Sequence, residues 1–237
     1  MKLRSKIISA IITLSLILSL AACGSKDVSG NVTAPETKTD ANETADNSPA
    51  PEEATFNIGS TDGGTYTNDY LGIGCKLDET WTFYDEKQLA DLNGVVVDSI
   101  DNKELADKYS ESLESGKTVF DMYATSSDGL AQINIVIENL GVIYGNTIDE
   151  SSYVDLSMDT LKETLDSAGM TNTTVEKISI DCAGATRSGF AASGESEGIA
   201  IYEKGICIKK GNYMAIITVS SYTQDTTDTL ASLFYSL

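Results

Sequence analysis

One serine sits in a spacing that chemistry could use. Gly194-Glu195-Ser196-Glu197-Gly198 matches the G-x-S-x-G pattern, in which a sharp turn presents a serine nucleophile. Such a serine needs a base beside it, most often histidine, and the 237-residue chain contains no histidine. The same absence removes Cys-His catalysis, histidine-ligated zinc and the usual proton shuttle near neutral pH. The pattern also falls between two extended segments rather than between a strand and a helix, so Ser196 reads as part of a hairpin turn. Gly116-Lys117-Thr118 matches the last positions of a phosphate loop, but Glu111 stands where the first glycine belongs and a helical pattern precedes it. Gly72-Ile73-Gly74 lacks the third glycine of a dinucleotide fingerprint. With 36 acidic residues, carboxylate pairs arise by number alone, so no glycosidase pair can be singled out. No catalytic residue, metal-ligand set or cofactor is expected.

Four cysteines are present, at 23, 75, 182 and 207. The last three match neither a paired C-x-x-C zinc site nor a disulfide-dense small domain, and they read as small buried hydrophobes. Cys182–Cys207 is the one pairing worth testing. Arg187 is the only arginine after Arg4, so a clamp built from several guanidinium groups is excluded.

Cys23 differs from the others in its context. Lys2, Arg4 and Lys6 precede an uncharged, mostly aliphatic run from Ile7 to Leu20, too short for a mature membrane span. The run closes on Leu20-Ala21-Ala22-Cys23, followed by Gly24 and Ser25. Charge, apolar run and small residues in that order read as an export signal. The cysteine at its end resembles the lipobox of bacterial lipoproteins. That resemblance implies a signal peptide over residues 1–22 and a diacylglyceryl group on the Cys23 sulfur. Cys23 then becomes the first residue of a protein held on the outer side of the cell membrane.

Without residues 1–22 the chain has 13 cations against 36 acids, a net charge of −23. Such a surface repels phosphate backbones, so no nucleic acid is expected as a partner. It also disfavours adhesion to anionic lipid, which leaves the lipid on Cys23 as the membrane contact. Residues 23–53 hold all three prolines and little large apolar side chain. They cannot bury a core and are expected to be a disordered tether reaching roughly 30 Å.

Residues 54–237 are long enough for one domain with a substantial core. Tyr66–Leu77 reads as two short strands broken near Asn68-Asp69. Asp85 caps a short helix ending at Asn93-Gly94, and Asp101 with Glu104 forms a capping box for a second. Leu105, Tyr109 and Leu113 line one face of that second helix, and Gly116 ends it. Segments 118–125 and 130–138 form a hairpin around Ser127-Asp128-Gly129. The longest helix covers 149–168, with Val154, Met158, Leu161, Leu165 and Ala168 on one stripe. Four strands follow, near 173–182, 184–193, 199–208 and 212–221, with Gly184, Gly194, Gly198 and Gly211-Asn212 in the turns. Asp225 and Asp228 open a last helix in which Leu230, Leu233, Phe234 and Leu237 share a face. The order predicts an α+β fold, an antiparallel sheet covered by helices.

Aromatic residues offer few sites. Trp81, Phe83 and Tyr84 read as a corner of the core, as do Tyr123 and Tyr202. Val142-Ile143-Tyr144, between Gly141 and Gly145, places three apolar residues in an apparent loop. Such a loop either folds back over a sheet edge or forms a contact patch. Alternation along an extended loop turns Tyr144 and Val142 one way and Ile143 the other, so burial is expected at Ile143 and exposure at Tyr144.

Tyr66-x-Asn68-x-x-Leu71-Gly72-Ile73, followed by Leu77 and Trp81, resembles the opening of PsbP-like domains. These include the extrinsic photosystem II proteins, the Ran-binding Mog proteins and many lipoproteins of Gram-positive bacteria. The resemblance implies an αβα sandwich over residues 66–237 and a function by binding rather than catalysis, with no functional residue to carry over. The expected protein is a lipid-anchored, non-catalytic module that binds a protein or envelope component through Tyr144 and Val142. The alternative is a receptor domain for a small ligand or metal.

Overall fold

The computed structural model describes residues 56–95 and 102–237. Cys23, the tether and Asp101 lie outside the described residues. Eleven strands and five helices are described. The strands are β1 (Ser60–Asp62), β2 (Thr65–Asn68), β3 (Ile73–Lys76), β4 (Trp81–Phe83), β5 (Val119–Ser126), β6 (Ala131–Asn139), β7 (Thr171–Cys182), β8 (Ala185–Ser196), β9 (Ile199–Lys210), β10 (Tyr213–Tyr222) and β11 (Phe234–Ser236). The helices are α1 (Glu86–Leu92), α2 (Asn102–Glu114), α3 (Gly141–Thr147), α4 (Glu150–Ser167) and α5 (Thr227–Ala231).

All strand pairs are antiparallel, and they form two sheets. The larger runs β4-β5-β6-β10-β9-β8-β7; the smaller runs β1-β2-β3-β11. The fold is α+β. The sequence called for one sheet, and the second arises where its pattern is least regular. β1 and β4 are only three residues long, too short for an alternation to show. The sequence pattern carries the last helix through the residues of β11. That helix stops at Ala231, and Phe234 enters a strand against Cys75 of β3 instead. Phe234 is buried there while Leu237 is exposed, so the supposed shared face does not exist.

Helix signals translate well elsewhere. Asp85 caps α1, with Gln88 reaching back to the Asp85 amide to complete a capping box. Asp149 caps α4 through the Ser152 amide. Within α4, Val154, Leu161 and Leu165 are buried, but Ala168 is exposed because the helix has already ended at Ser167. The first turn of α4 is tied down by charge. Glu150 accepts from Arg187 of β8 at 3.1 Å and from the Lys209 amide of β9 at 3.0 Å. Lys177 of β7 reaches Asp155 at 2.7 Å.

The larger sheet buries both faces. One packs against the smaller sheet, α2 and α5, joining Tyr66, Ile73, Leu105, Tyr109, Leu113, Ile135, Ile217 and Phe234. The other packs Phe190, Cys207, Met214 and Ile216 under Tyr153, Val154, Leu161 and Leu165 of α4. Beside it, Leu89 and Leu92 of α1 cover Phe120, Tyr123 and Val136. This two-sided burial explains why β6 and β10 are buried at nearly every position rather than at alternate ones.

Gly194 lies inside β8, not in the turn where the sequence placed it. The turn is Glu197-Gly198, both left-handed at φ 51° and 80°, so Ser196 ends a strand in a tight hairpin.

The three described cysteines are free and buried. Cys75 and Cys182 belong to the core between the sheets, and Cys207 to the core under α4. The sheet separates Cys182 from Cys207, so that pairing is excluded. Burial pushes the thiols up, to about 12 for Cys75 and about 11 for Cys182. Thermal melts with and without reductant are therefore expected to superimpose; a clear drop under reductant would reveal a bridge and refute this arrangement.

Candidate functional site

Three places combine chemistry with an arrangement that local packing does not require. The first is α3. The segment 139–148 contains no charged residue. Asn139 accepts from the Gly141 amide at 2.9 Å and turns the chain into the helix. Leu140 and Ile148 are buried at its two ends, and the Leu140 amide donates to Asn212 at 2.8 Å. Gly145 faces inward and lies so close to the β9–β10 turn that a Cβ there would stand 2.4 Å from Asn212 Oδ1. The helix is thus seated on Gly145, and its apolar side chains turn away from the protein. Val142, Ile143 and Tyr144 are 69%, 76% and 55% exposed. The exposure expected at Tyr144 is found. The burial expected at Ile143 is not, because the segment is helical and the alternation of an extended loop does not apply.

The second place is a buried carboxylate, Asp121. A β-bulge between Phe120 and Met122 makes Asp121 the extra residue of β5. Its side chain reaches across to the smaller sheet. Oδ2 accepts from the Tyr66 hydroxyl at 2.5 Å and from Asn68 Nδ2 at 2.8 Å, and Oδ1 accepts from the Gly59 amide at 2.8 Å. Asn68 Oδ1 accepts in turn from the Leu71 amide at 2.8 Å. Burial pushes the Asp121 carboxyl up, against the downward pull of its three donors. Burial, with the neighbouring Asp121, holds the Tyr66 hydroxyl well above its ordinary range, so Tyr66 remains a donor. Gly59 is required here, since a Cβ would stand 2.3 Å from the Tyr66 ring. Tyr66, Asn68, Leu71 and Gly72, which carry the family-like pattern, thus form a structural clamp. Beside them a shallow cavity of about 170 Å³ opens between Asn57, Ile58, Gly59, Ser60, Thr67 and Asp69. Asp69 is its only charged side chain, and the lining offers no constellation for a reaction.

The third place was not foreseen from sequence. On the α4-facing side of the larger sheet, polar residues replace apolar ones along β6, β10 and β9. Gln132, Asn134, Thr218, Ser220 and Glu203 are all buried. Register places Gln132 opposite Ser220 and Ser220 opposite Glu203, with Asn134 opposite Thr218 in the next row. Tyr123 of β5 donates to Gln132 Oε1 at 2.7 Å, and Ser220 donates to Glu203 Oε2 at 3.2 Å. Tyr222, buried on the same face opposite Ile201, has a side-chain hydrogen bond with Ser220 and lies close enough to Glu203 to feel its charge. Burial pushes the Glu203 carboxyl up to about 7, against the pull of Ser220. Further along the same face Glu138 is also pushed up to about 7 by burial, against a hydrogen bond from Tyr153 of α4. A sequence signal did exist: Gln132, Asn134 and Glu138 are the polar partners of an alternating strand. Alternation alone implied that they face water, whereas α1 and α4 enclose this face.

The remaining nominees are dispersed. Ser196 stands at the end of β8 beside a hairpin turn, in a chain with no histidine to activate it, and Tyr202 is half-buried on β9. Trp81 and Phe83 pack on the core between the sheets, and Tyr84 on the patch under α1. Among the described residues no three or more cysteine and acidic side chains gather as a metal site.

The buried carboxyls fix the sign of a pH effect. Glu203 holds its proton to about pH 7 in the folded protein but to about 4.5 when unfolded. Its folded pKa is the higher, so the stability it supports is complete below about pH 4.5 and is lost as pH rises toward 7. The difference corresponds to roughly 3 kcal/mol. Glu203→Gln is expected to raise the melting temperature at pH 8 and to leave it nearly unchanged at pH 4.5. Equal effects at both pH values would show that Glu203 does not titrate in the fold.

No protein-family model matches the chain, and no curated protein sequence is significantly similar to it.

Proposed function

We propose that the protein is a lipid-anchored extracytoplasmic module with a PsbP-like αβα domain, which binds a protein or envelope component without catalysing a reaction. The observation that carries this reading is α3. Three large apolar side chains are held outward on a helix whose own packing is already complete through Leu140, Gly145 and Ile148. An uncharged apolar projection on a chain of net charge −20 is the feature a partner would recognise. The anchor rests on the sequence before and at Cys23. No described helix is long and apolar enough to cross a membrane. The two sheets and their helices are compatible with the PsbP-like layering, and the clamp of Tyr66 and Asn68 gives the family-like pattern a structural reason.

A second reading, a receptor for a small ligand or ion, is favoured by the buried polar seam with Glu203 and Tyr222. It shares the anchor and differs in where recognition happens.

Because α3 is exposed, Tyr144→Ala and Ile143→Ala should each change stability by no more than about 0.5 kcal/mol. In crosslinking from native membranes, Tyr144→Ala should lose adducts that wild type forms. If every adduct survives, α3 is not the contact surface. Cys23→Ser should leave the protein without lipid on its N-terminal peptide, unprocessed or shed; an unchanged membrane fraction would refute the anchor.

A further inference from the structure

The chain enters the described domain at the end of the molecule where α3 projects. Phe56, where the described chain starts, stacks on Tyr213 with ring centroids 4.8 Å apart and meets Tyr70 edge-on at 5.6 Å. The Tyr70 hydroxyl donates to the Lys210 carbonyl at 3.1 Å. Tyr213 opens β10 opposite Asn139, the residue that turns the chain into α3. The β9–β10 turn between Lys210 and Tyr213 also carries Asn212, on which α3 is seated. Phe56 and α3 therefore share one end of the larger sheet.

Residues 24–55 lead from Cys23 to Phe56. A coil of that length reaches roughly 30 Å on average, so a lipid on Cys23 keeps α3 within reach of the same bilayer. Confinement raises the effective concentration, and a contact too weak to hold a free protein then suffices. A protein partner needs no such placement of Phe56 beside α3; a surface that also holds Cys23 does.

The chemistry of this end suits a lipid surface. The two amide and hydroxyl side chains of α3 fold back on their own helix. Asn146 Nδ2 donates to the Val142 carbonyl and Thr147 Oγ1 to the Ile143 carbonyl, both at 2.9 Å. Little polar surface is then left to desolvate around Val142 and Ile143. Tyr144, apolar with a polar tip, matches the boundary between headgroups and acyl chains. Lys209, Lys210 and Arg187 offset Glu114, Glu150 and Asp181 at this end. The opposite end holds Asp128, Glu195, Glu197 and Asp225 in or beside its turns. Of the two ends, the one with α3 is repelled less by lipid phosphate.

We infer that α3 is a membrane-surface contact, with Val142, Ile143 and Tyr144 dipping into the headgroup boundary of the bilayer that carries the Cys23 lipid. This names the envelope component in the reading above and rests on that reading's anchor. The lipid holds the protein, and α3 orients the head against the surface.

The test is a fluorescent probe on the full chain, purified from membranes and reconstituted in neutral phosphatidylcholine vesicles. Ile143→Cys is labelled with nitrobenzoxadiazole; Cys75, Cys182 and Cys207 are buried and should not react. Glu195→Cys, at the far end of the sheet, is the control. Emission at 143 should be several-fold stronger and bluer than at 195, and brominated acyl chains should quench it. Adding Val142→Asp should return the probe at 143 to water. Peptide masses report the lipid on Cys23 separately. A probe at 143 that stays in water on a lipidated chain would overturn this inference and leave the anchor standing. Equal quenching at 143 and 195 would overturn it too. So would a blue shift that brominated lipid does not quench, because a second copy would then cover α3. Should Cys23 carry no lipid, the anchor falls, and the same pair measured with Cys23→Ser decides α3 alone: quenching at 143 supports the contact, and its absence overturns it.

Discussion

A single carboxylate ties the two sheets together. Asp121 leaves the ladder of β5 at a bulge and accepts from Tyr66, Asn68 and the Gly59 amide. These donors come from β2 and from the segment before β1, so one side chain fixes both to the central sheet. Apolar contact alone would hold the sheets near each other, since burial is non-directional. The hydrogen bonds give the contact one geometry. An Ala at position 121 would leave the buried hydroxyl of Tyr66 and the amide of Asn68 without their acceptor, at a cost of roughly 3 kcal/mol.

The layers depend on that arrangement in turn. With the smaller sheet, α2 and α5 on one face and α1 and α4 on the other, the larger sheet is buried on both sides. Double burial has two consequences. It encloses polar residues on β6, β9 and β10, where the missing solvent raises the Glu203 and Glu138 carboxyls. It also leaves the end of the sheet near Asn212 as the place where α3 can project, anchored by Leu140 and Gly145 rather than by its own apolar face. Recognition by an exposed surface and binding in a buried seam are therefore separate possibilities of one scaffold.

Much of this fold was legible in the sequence. Asp85 and Asp149 announced helix starts, the alternation of Ile133, Ile135 and Ile137 announced β6, and the glycines at 184, 198 and 211 announced turns. What was not legible depended on distant partners. Nothing around Phe234 distinguishes a continuing helix from a strand that pairs with Cys75, more than 150 residues away. Ile143 was assigned to the interior by a period of two, and one helical turn reversed it. Asp121 looked like any acidic residue in a strand. Its role appeared only when Tyr66 and Asn68, already singled out by pattern, proved to point at it. Gln132 and Asn134 carried the opposite error, polar side chains that alternation assigns to solvent but that a second covering layer encloses.

Native-state hydrogen exchange at the Gly59 amide tests the clamp most directly. Gly59 lies outside the regular strands, and its N–H is bonded to the Asp121 carboxylate. Exchange there should be as slow as that of β6 and β10 in the centre of the larger sheet, opening only with global unfolding. Exchange at the rate of an unprotected loop amide would contradict the account: the smaller sheet would then open independently, and Asp121 would not be what holds the two sheets in register.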